Sequence, residues 1–282
     1  MTGPINALEI TGLTVDLPAE GGTKRILHGV DLALRPGQIH GLAGESGSGK
    51  TMSGLAVLGL LPAGARTGGR IKLHDTDLLA LSPRELGELR GRAVSMVFQD
   101  PSTSLHPMLS IGHQLTDHLR HHLKLDRRAA KERATDLLGQ VRIPNPAEAL
   151  GRYPHQFSGG MRQRIAIAIA LACEPQVLIA DEPTTALDVT VQAGVLRLLR
   201  GLCDELGLAV LLVTHDLGVM SAIADEVSVM RHGLVVETGP RGQVLTEPRH
   251  EYTRTLLDAL PGAAVARART TTDPAPDFRS AP

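Results

Sequence analysis

Hydrophobic and polar positions alternate near the start of the chain and give way to mainly apolar runs further along. Residues 8–17 and 27–34 alternate, and Glu20-Gly21-Gly22 stands between them. This pattern predicts an antiparallel β layer. Four short runs are predominantly apolar: 38–43, 94–98, 177–180 and 208–213. Because strands of this kind are covered on both faces, they predict a mainly parallel sheet between helices.

Helical patterns fill the intervals between the apolar runs. They are predicted at residues 52–61, 82–89, 160–172 and 189–206. The second helix opens with Ser82-Pro83-Arg84-Glu85, which is a capping box with proline at the first helical position. Strands that alternate with helices predict an α/β fold, and the two N-terminal strands add an antiparallel β layer to it.

One stretch departs from this alternation of strands and helices. Residues 111–152 are helical and polar-faced, with Asp126 predicted as the cap of a helix at 127–139. Pro144 and Pro146 then break the helical pattern. We therefore expect an inserted α-helical subdomain, roughly at 101–157, rather than a continuation of the sheet.

The composition is that of an ordinary globular protein. The 282 residues carry a formal net charge of -1, and 42% of them are hydrophobic. The lack of a basic excess argues against a nucleic-acid partner. Aromatic residues make up only 2% and tryptophan is absent, so aliphatic side chains must fill the core. Cys173 and Cys203 have apolar neighbours and are predicted to be buried free thiols.

Signals for targeting or for crossing a membrane are not visible. The first residues lack a charged region followed by an apolar one, so we expect no secretory signal. The longest apolar runs, 165–173 and 208–213, are well short of the ~20 residues that span a bilayer. Residues 261–282 lack periodicity and are predicted to be a disordered tail. We expect a soluble cytoplasmic protein.

A glycine-rich segment matches the phosphate-cradling pattern G-x-x-x-x-G-K-[ST]. Its residues are Gly44, Glu45, Ser46, Gly47, Ser48, Gly49, Lys50 and Thr51. The segment falls at a strand-to-helix turn, where unpaired amides and the positive end of the helix dipole face an anion. Lys50 can reach terminal phosphates, and the Thr51 hydroxyl can ligate magnesium. A flexible glycine turn would not explain the Lys-Thr pair, so we predict that the chain binds a nucleoside triphosphate.

Two adjacent carboxylates follow the predicted strand at 177–180. Asp181 is placed to hold magnesium, directly or through water, and Glu182 to orient and deprotonate a water that attacks the γ-phosphate. The alternative is that both carboxylates cap the following turn. Because a phosphate loop lies upstream, the first interpretation is favoured and predicts hydrolysis of the triphosphate.

Further motifs follow in an order that resembles the ATP-binding subunits of ABC transporters. Residues 157–164 resemble the ABC signature, Gln99 the Q-loop, residues 186–188 the D-loop and His215 the switch histidine. The resemblance extends over nearly all of residues 8–260. It implies a P-loop NTPase core with ATP and Mg²⁺ as its ligands. The nucleotide-binding domain would then span residues 1–260.

The resemblance also implies roles for individual residues. Gln99 and His215 join Glu182 as catalytic residues, Gln99 also ligates magnesium, and Asp188 contacts nucleotide. The hydroxyl of Ser158 and the amides that follow it form a second anion cradle at a helix start. The residues of this second cradle are Ser158, Gly159 and Gly160. It cannot fold back onto the phosphate loop of its own chain, so a second ABC ATPase subunit, identical or homologous, is implied.

Residues 153–164 and 181–192 resemble the oligopeptide, dipeptide and nickel importer branch of the family. His250-Glu251-Tyr252-Thr253-Arg254 resembles that branch's His-Pro-Tyr-Thr-Arg element, with Glu251 in place of proline. The branch implies a peripheral subunit on the cytoplasmic face of the cell membrane, which energises a permease fed by an external solute-binding protein. Its cargo would be peptides or a related small solute, nickel included. The tail lacks a cysteine cluster, so no iron–sulfur site is expected.

Two other functions are compatible with an ATP-binding core. A non-transport ABC ATPase would act in DNA repair or translation, but such proteins carry long coiled coils or two ATP modules, and neither is present here. An ATP-gated regulatory subunit without turnover is disfavoured because Glu182 and His215 are both present.

Within the leading interpretation, we expect the segment from Gln99 into the helical insertion to dock the permease, through residues 107–114.

Two local features depart from expectation. ABC subunits usually stack adenine on an aromatic residue near the end of the first strand, and Leu17 holds that place here. Base stacking is worth ~1–3 kcal/mol, so nucleotide affinity or base preference is predicted to be weaker than in relatives with an aromatic residue. His118, His121 and His122 have the helical spacing of metal ligands, but a solvated helix face is the commoner arrangement.

Overall fold

The computed structural model describes residues 6–185 and 187–259. The predicted disordered tail at 261–282 and Ala186 of the predicted D-loop lie outside the described residues. The strands that are described are β1 (Leu8–Ala19), β2 (Gly22–Leu34), β3 (Ile39–Ala43), β4 (Arg66–Leu73), β5 (Thr76–Asp77), β6 (Val94–Val97), β7 (Val177–Asp181), β8 (Ala209–Val213), β9 (Glu226–Arg231) and β10 (Leu234–Pro240). They divide between two sheets.

The smaller sheet is antiparallel and has the strand order β2-β1-β4-β5. Leu17 of β1 pairs with Lys24 of β2, close to the turn that joins the two strands. The predicted antiparallel layer is confirmed, and β4 and β5 extend it. The hydrophobic pattern does not predict β4, because Gly68 and Gly69 interrupt its alternation.

The larger sheet has the order β10-β9-β3-β8-β7-β6. Strands β9, β3, β8, β7 and β6 are parallel to their neighbours, and only β10 pairs antiparallel, with β9. The four apolar runs form β3, β6, β7 and β8, as predicted. The β9–β10 hairpin is an addition, although the buried alternation of Val227 and Val229 was a visible signal for it.

Helices cover both faces of the larger sheet. They are α1 (Lys50–Leu58), α2 (Pro83–Leu89), α3 (Pro101–Ser104), α4 (Ile111–Leu123), α5 (Arg127–Gln140), α6 (Pro146–Ala149), α7 (Gly159–Leu171), α8 (Val189–Leu206), α9 (Leu217–Ile223), α10 (Arg241–Thr246) and α11 (Glu251–Asp258). The capping box at Ser82 and the cap at Asp126 are both present. Helices α3 to α6 form the predicted helical layer, in which α4 packs on α5 and both pack on α7. The predicted fold class is confirmed.

Two hydrophobic cores lie on opposite faces of the larger sheet. Leu178 and Ala180 of β7 face the core shared with the helical layer, whereas Val177 and Ile179 face the core beneath the antiparallel sheet. Both cores are mainly aliphatic, and Phe157 and Tyr252 are the buried phenylalanine and tyrosine among the described residues. Cys173 and Cys203 are buried free thiols, as predicted. Within the described parts of the chain, no helix has the length and apolar character of a membrane span.

Candidate active site

The predicted site residues gather at one edge of the larger sheet. Gly44 follows β3, Gln99 follows β6, Glu182 follows β7 and His215 follows β8. These four strands are parallel, so their carboxyl ends meet at the same edge. Helix α1 begins at Lys50, so its N-terminus points into the group. The strand topology thus brings together residues that are up to 171 positions apart in the sequence, from Gly44 to His215.

The glycines of the phosphate loop are required by its backbone and by its neighbours. Gly44, Gly47 and Gly49 all have positive φ angles, of 148°, 79° and 106°, which L side chains rarely adopt. A Cβ on Gly44 would also collide with the carbonyl oxygen of Met230. The turn before α1 can therefore be built only with glycine at these places.

Lys50 lies inside the loop that it follows. Its side chain is 5% exposed, and Nζ donates hydrogen bonds of 2.8 Å to the carbonyl oxygens of Gly44 and Glu45. Burial lowers the pKa of Lys50, and the charges of Glu182 and Asp181 oppose that effect. The ammonium group is thus fixed at the centre of the loop, where an anion would meet it together with the loop amides.

Thr51 and Asp181 supply two oxygen atoms at the start of α1 and the end of β7. The Thr51 hydroxyl donates to Asp181 Oδ1 over 3.1 Å. Asp181 is buried, and its burial raises the pKa of the carboxyl group above the ordinary value. Hydroxyl and carboxylate oxygens are the ligands that Mg²⁺ prefers, so this pair fits the predicted metal.

Glu182 accepts hydrogen bonds from three side chains. Gln99 Nε2 lies 2.9 Å from its Oε2, Thr185 Oγ1 lies 2.9 Å from the same oxygen, and His215 Nδ1 lies 2.8 Å from Oε1. Burial alone would raise the pKa of Glu182, but the hydrogen bonds from His215 and Thr185 hold it below the ordinary value. The carboxylate is therefore charged at neutral pH and can accept a proton.

The backbone of Glu182 is also unusual. Its φ angle is 45°, in the left-handed region that is uncommon for residues other than glycine, asparagine and aspartate. Its amide donates to the carbonyl oxygen of Val213 over 2.7 Å, which ties the end of β7 to the end of β8. Positions of this kind cluster at functional sites, and here the conformation turns Glu182 toward Gln99 and His215.

These side chains line a cavity of about 790 Å³. The residues around it are Leu17, Ile26, Gly44, Glu45, Ser46, Gly47, Gly49, Lys50, Thr51, Met52, Gln99, Glu182, Thr185, His215 and Leu256. Asp181 lies behind Thr51, and the buried hydroxyl of Ser48 has no hydrogen-bond partner among the described residues. Unpartnered buried hydroxyls are rare. An anion cradle with an unpartnered hydroxyl, a buried ammonium group and an oxygen pair fits a magnesium-bound triphosphate.

Four lining residues are not predicted from the sequence. They are Ile26, Met52, Thr185 and Leu256. Thr185 lies within the segment that resembles the importer branch, so its position beside Glu182 was a usable signal. Leu256 carries no local signal, because only the packing of α11 brings it to the cavity.

The other predicted nucleotide residues lie apart from this cavity. Ser158 caps α7, where its hydroxyl accepts from the Met161 amide over 3.3 Å, and Asp188 caps α8 by accepting from the Val191 amide over 3.0 Å. The two caps are neighbours, because a Cβ on Gly159 would lie 3.6 Å from Leu187 and one on Gly160 would collide with Val191. Ser158, Gly159, Gly160 and Asp188 are all absent from the cavity lining.

A family model described as ABC transporter matches residues 27–185. The chain belongs to the ABC transporter family. A putative peptide import ATP-binding protein of Brucella abortus is 48% identical over 92% of this chain and 78% of its own length. The dipeptide transport ATP-binding protein DppD of Bacillus subtilis is 46% identical over 90% of this ABC chain and 76% of its own length. The oligopeptide transport protein OppD of the same organism is 44% identical over 90% and 72%.

Solved structures give the same family and fold for this ABC protein. A dimeric ATP-binding cassette in a post-hydrolysis state, bound to ADP and Pi, is 26% identical, with a TM-score of 0.73 over 83% of this chain and 98% of its own. The cbiO1 protein of Clostridium perfringens, part of the ABC transporter complex cbiONQ, is 27% identical, with a TM-score of 0.73 over 93% and 98%. None of these relatives is described as a repair or translation protein, so that alternative gains no support.

The three histidines of α4 that have metal-ligand spacing differ in how far they are exposed. His121 is exposed, but His118 and His122 are half-buried, with ring centroids 4.6 Å apart. They line a groove of about 520 Å³ beside Gly91 and Phe98, and burial lowers the pKa of both imidazoles. The expected solvated face is confirmed for His121, whereas His118 and His122 are partly covered because α4 packs against the loop before β6.

Proposed function

We propose that this chain is the ATP-binding and ATP-hydrolysing subunit of an ABC importer. The observation that carries the proposal is the placement of Glu182. Its carboxylate lies at the cavity lined by the phosphate loop, within 3 Å of donors on Gln99 and His215. This is the geometry of a general base beside groups that orient it and respond to the terminal phosphate.

Binding rests on the phosphate loop and the residues that flank it. The loop amides and the Lys50 ammonium would hold the phosphates, and Thr51 and Asp181 would hold Mg²⁺, with the amide oxygen of Gln99 as a further ligand. When bound, Mg²⁺ offsets negative charge on the phosphate oxygens. Leu17 and Ile26 line the same cavity on the side of the antiparallel sheet and supply an aliphatic surface for the base.

Hydrolysis rests on Glu182. The carboxylate orients a water toward the γ-phosphate and accepts its proton. It can accept a proton because its lowered pKa keeps the group ionised at neutral pH. His215 and Gln99 hydrogen-bond the carboxylate and fix its direction. On entry of a terminal phosphate, His215 also donates to a phosphate oxygen, so that the end of β8 reports the presence of ATP.

A second ATPase subunit completes the site. Ser158, Gly159, Gly160 and Asp188 lie outside the cavity of their own chain, and we assign them to the nucleotide of a partner. Val189, next to Asp188, is an apolar side chain with 82% exposure, as expected for a residue covered by another subunit. The dimeric state of the related ATP-binding cassette supports this arrangement.

Permease docking is assigned to the surface between β6 and the helical layer. Phe98, adjacent to Gln99, is 38% exposed, and Met108 is 77% exposed. Exposed large apolar residues beside a groove indicate a protein partner, and Gln99 connects that surface to Glu182.

We place the subunit on the cytoplasmic face of the cell membrane, with an external solute-binding protein supplying the permease. The names of the relatives support peptides as the cargo class.

Purification of the chain from its native membrane, with cross-linking, tests this function. We expect a permease to copurify and the complex to hydrolyse ATP. A Met108→Cys variant should cross-link to a cytoplasmic loop of the permease, whereas the matched exposed variant Lys24→Cys on β2 should not. The native Cys173 and Cys203 are buried and give little background. Absence of any permease, or cross-links from Lys24→Cys alone, would contradict the assignment.

A further inference from the structure

Helix α11 contacts the phosphate loop through the side chain of Tyr252. The Tyr252 hydroxyl accepts a hydrogen bond of 3.3 Å from the backbone amide of Glu45, the second residue of the loop. Tyr252 is only 5% exposed, and its burial raises the pKa of the phenol above the ordinary value. The hydroxyl therefore stays neutral and fixes the direction of one amide in the loop that holds the phosphates.

The position of Tyr252 is itself fixed from two sides. The guanidinium group of Arg231, at the end of β9, lies 4.6 Å from the centroid of the tyrosine ring. The Glu237 carboxylate of β10 accepts from the amides of Arg249 and His250 over 2.8 Å and 3.1 Å, which anchors the start of α11. Glu237 is 8% exposed, so these charge-assisted bonds are shielded from water and strong.

The β9–β10 turn joins the same group of residues. The amide of Gly233 donates to the carbonyl oxygen of Ser48 over 2.9 Å, and the carbonyl of Gly233 accepts from His28 of β2 over 2.9 Å. The phosphate loop is thus held at Glu45 by α11 and at Ser48 by the turn. Leu256, one helical turn after Tyr252, reaches the wall of the cavity.

We propose that Tyr252 is a positioning residue for ATP, which sets the conformation of the phosphate loop through the Glu45 amide. This inference rests on the proposed nucleotide function and extends it to the C-terminal helix. Tyr252 acts on phosphate recognition and not on the base, because Glu45 belongs to the cradle whereas Leu17 and Ile26 lie on the antiparallel sheet. The His250–Arg254 element of the sequence thereby acquires a physical role in the site.

The test compares Tyr252→Phe with Tyr153→Phe in the full-length chain. Phenylalanine keeps the packed ring and its contact with Arg231 but removes the hydroxyl. We expect affinity for Mg·ATP and for Mg·tripolyphosphate to fall by the same factor, about 3- to 10-fold, since a neutral hydrogen bond is lost. Amide exchange at Glu45 without nucleotide should rise by a similar factor. Tyr153 is exposed and lies away from the loop, so its variant should change none of these.

The outcomes separate this inference from the proposed function. In the assembled complex, Tyr252→Phe should raise KM for ATP and leave kcat within about twofold, because Glu182 is untouched. Unchanged exchange at Glu45, or a loss of affinity for ATP but not for tripolyphosphate, would overturn the role of Tyr252 while the ATPase assignment stands. If the unmutated chain binds neither Mg·ATP nor Mg·tripolyphosphate, both the ATPase assignment and the role of Tyr252 are overturned, even if exchange at Glu45 is faster in the variant.

Discussion

Two helix N-termini in this molecule are suited to an anion, and they differ in what surrounds them. The first, at the start of α1, has the buried ammonium group of Lys50, the Thr51 hydroxyl and the Glu182 carboxylate within one cavity, and Asp181 lies behind Thr51. The second, at the start of α7, offers the Ser158 hydroxyl and helix amides on an exposed surface. Only the first therefore carries the groups that hydrolysis requires.

The proposed function gives each of the two cradles a separate role. Under the proposed function, the groups that line the first cavity would contact a terminal phosphate from its own chain. The cradle at α7 lies beside Asp188 and the exposed Val189, away from that cavity. Under the proposed function, the first cradle of one chain meets the second cradle of its partner subunit.

The largest expected effect separates chemistry from binding at the first cradle. Glu182→Gln keeps the size and hydrogen-bonding reach of the side chain but removes the base, so we expect turnover by the assembled complex to fall ~10²–10⁴-fold. ATP affinity should stay within about threefold, because the loop and Lys50 are intact. Steady-state hydrolysis and equilibrium binding measure the two quantities.

A matched control is available on α8. Glu205 is an exposed glutamate at the far end of that helix, and Glu205→Gln should leave turnover unchanged. Retention of turnover within a factor of two in Glu182→Gln would remove Glu182 from the mechanism.

The next effect tests the packing of the second cradle. A Cβ on Gly160 would collide with Val191 of α8, whereas one on Gly159 would meet nothing closer than 3.6 Å. Gly160→Ala should therefore cost about 1–3 kcal/mol of unfolding free energy, while Gly159→Ala should be neutral or stabilising through helix propensity. Urea denaturation of both variants gives the difference, and equal values would mean that α7 and α8 are not packed as described.

The last effect concerns the base side of the first cradle. Leu17 lines the cavity with Ile26, so Leu17→Tyr should supply a stacking platform and tighten ATP binding by up to ~1–3 kcal/mol. Tripolyphosphate has no base, and its affinity should not change. Leu206→Tyr, at an exposed site on α8, is the control. An equal gain for both ligands, or none for ATP, would show that another residue forms the base platform.

Local patterns in the sequence were sufficient to predict most strands of the larger sheet and the site residues at the carboxyl ends of those strands. The phosphate loop is one continuous segment that directly follows an apolar run. The Asp181-Glu182 pair directly follows another. Their spacing from these runs alone places them at strand ends. The roles assigned to them remain predictions. The Ser82 and Asp126 caps were readable for the same reason, because a cap acts within three residues of itself.

Features that depend on distant packing were not predictable. Leu256 reaches the cavity only because α11 docks beside the phosphate loop, more than 200 positions from Glu45 in the sequence. The sequence around His118 and His122 predicts a solvated helix face. The loop before β6 covers them in part, and that loop has no hydrophobic periodicity from which the contact could be predicted. Strand β4 was not predicted, because Gly68 and Gly69 interrupt the alternation of apolar and polar residues that indicates a strand.

The central claim is that the two cradles act on one nucleotide from different subunits. It is tested most directly by ATP-driven association of the full-length chain with its ATPase partner, measured by sedimentation in the Glu182→Gln background. With Lys50→Ala added, we expect both ATP binding and association to be lost. With Ser158→Arg added, ATP binding should stay within about threefold and association should be abolished, because the signature acts across the interface. Equal loss of ATP binding in both variants, or association that survives Ser158→Arg, would contradict the account.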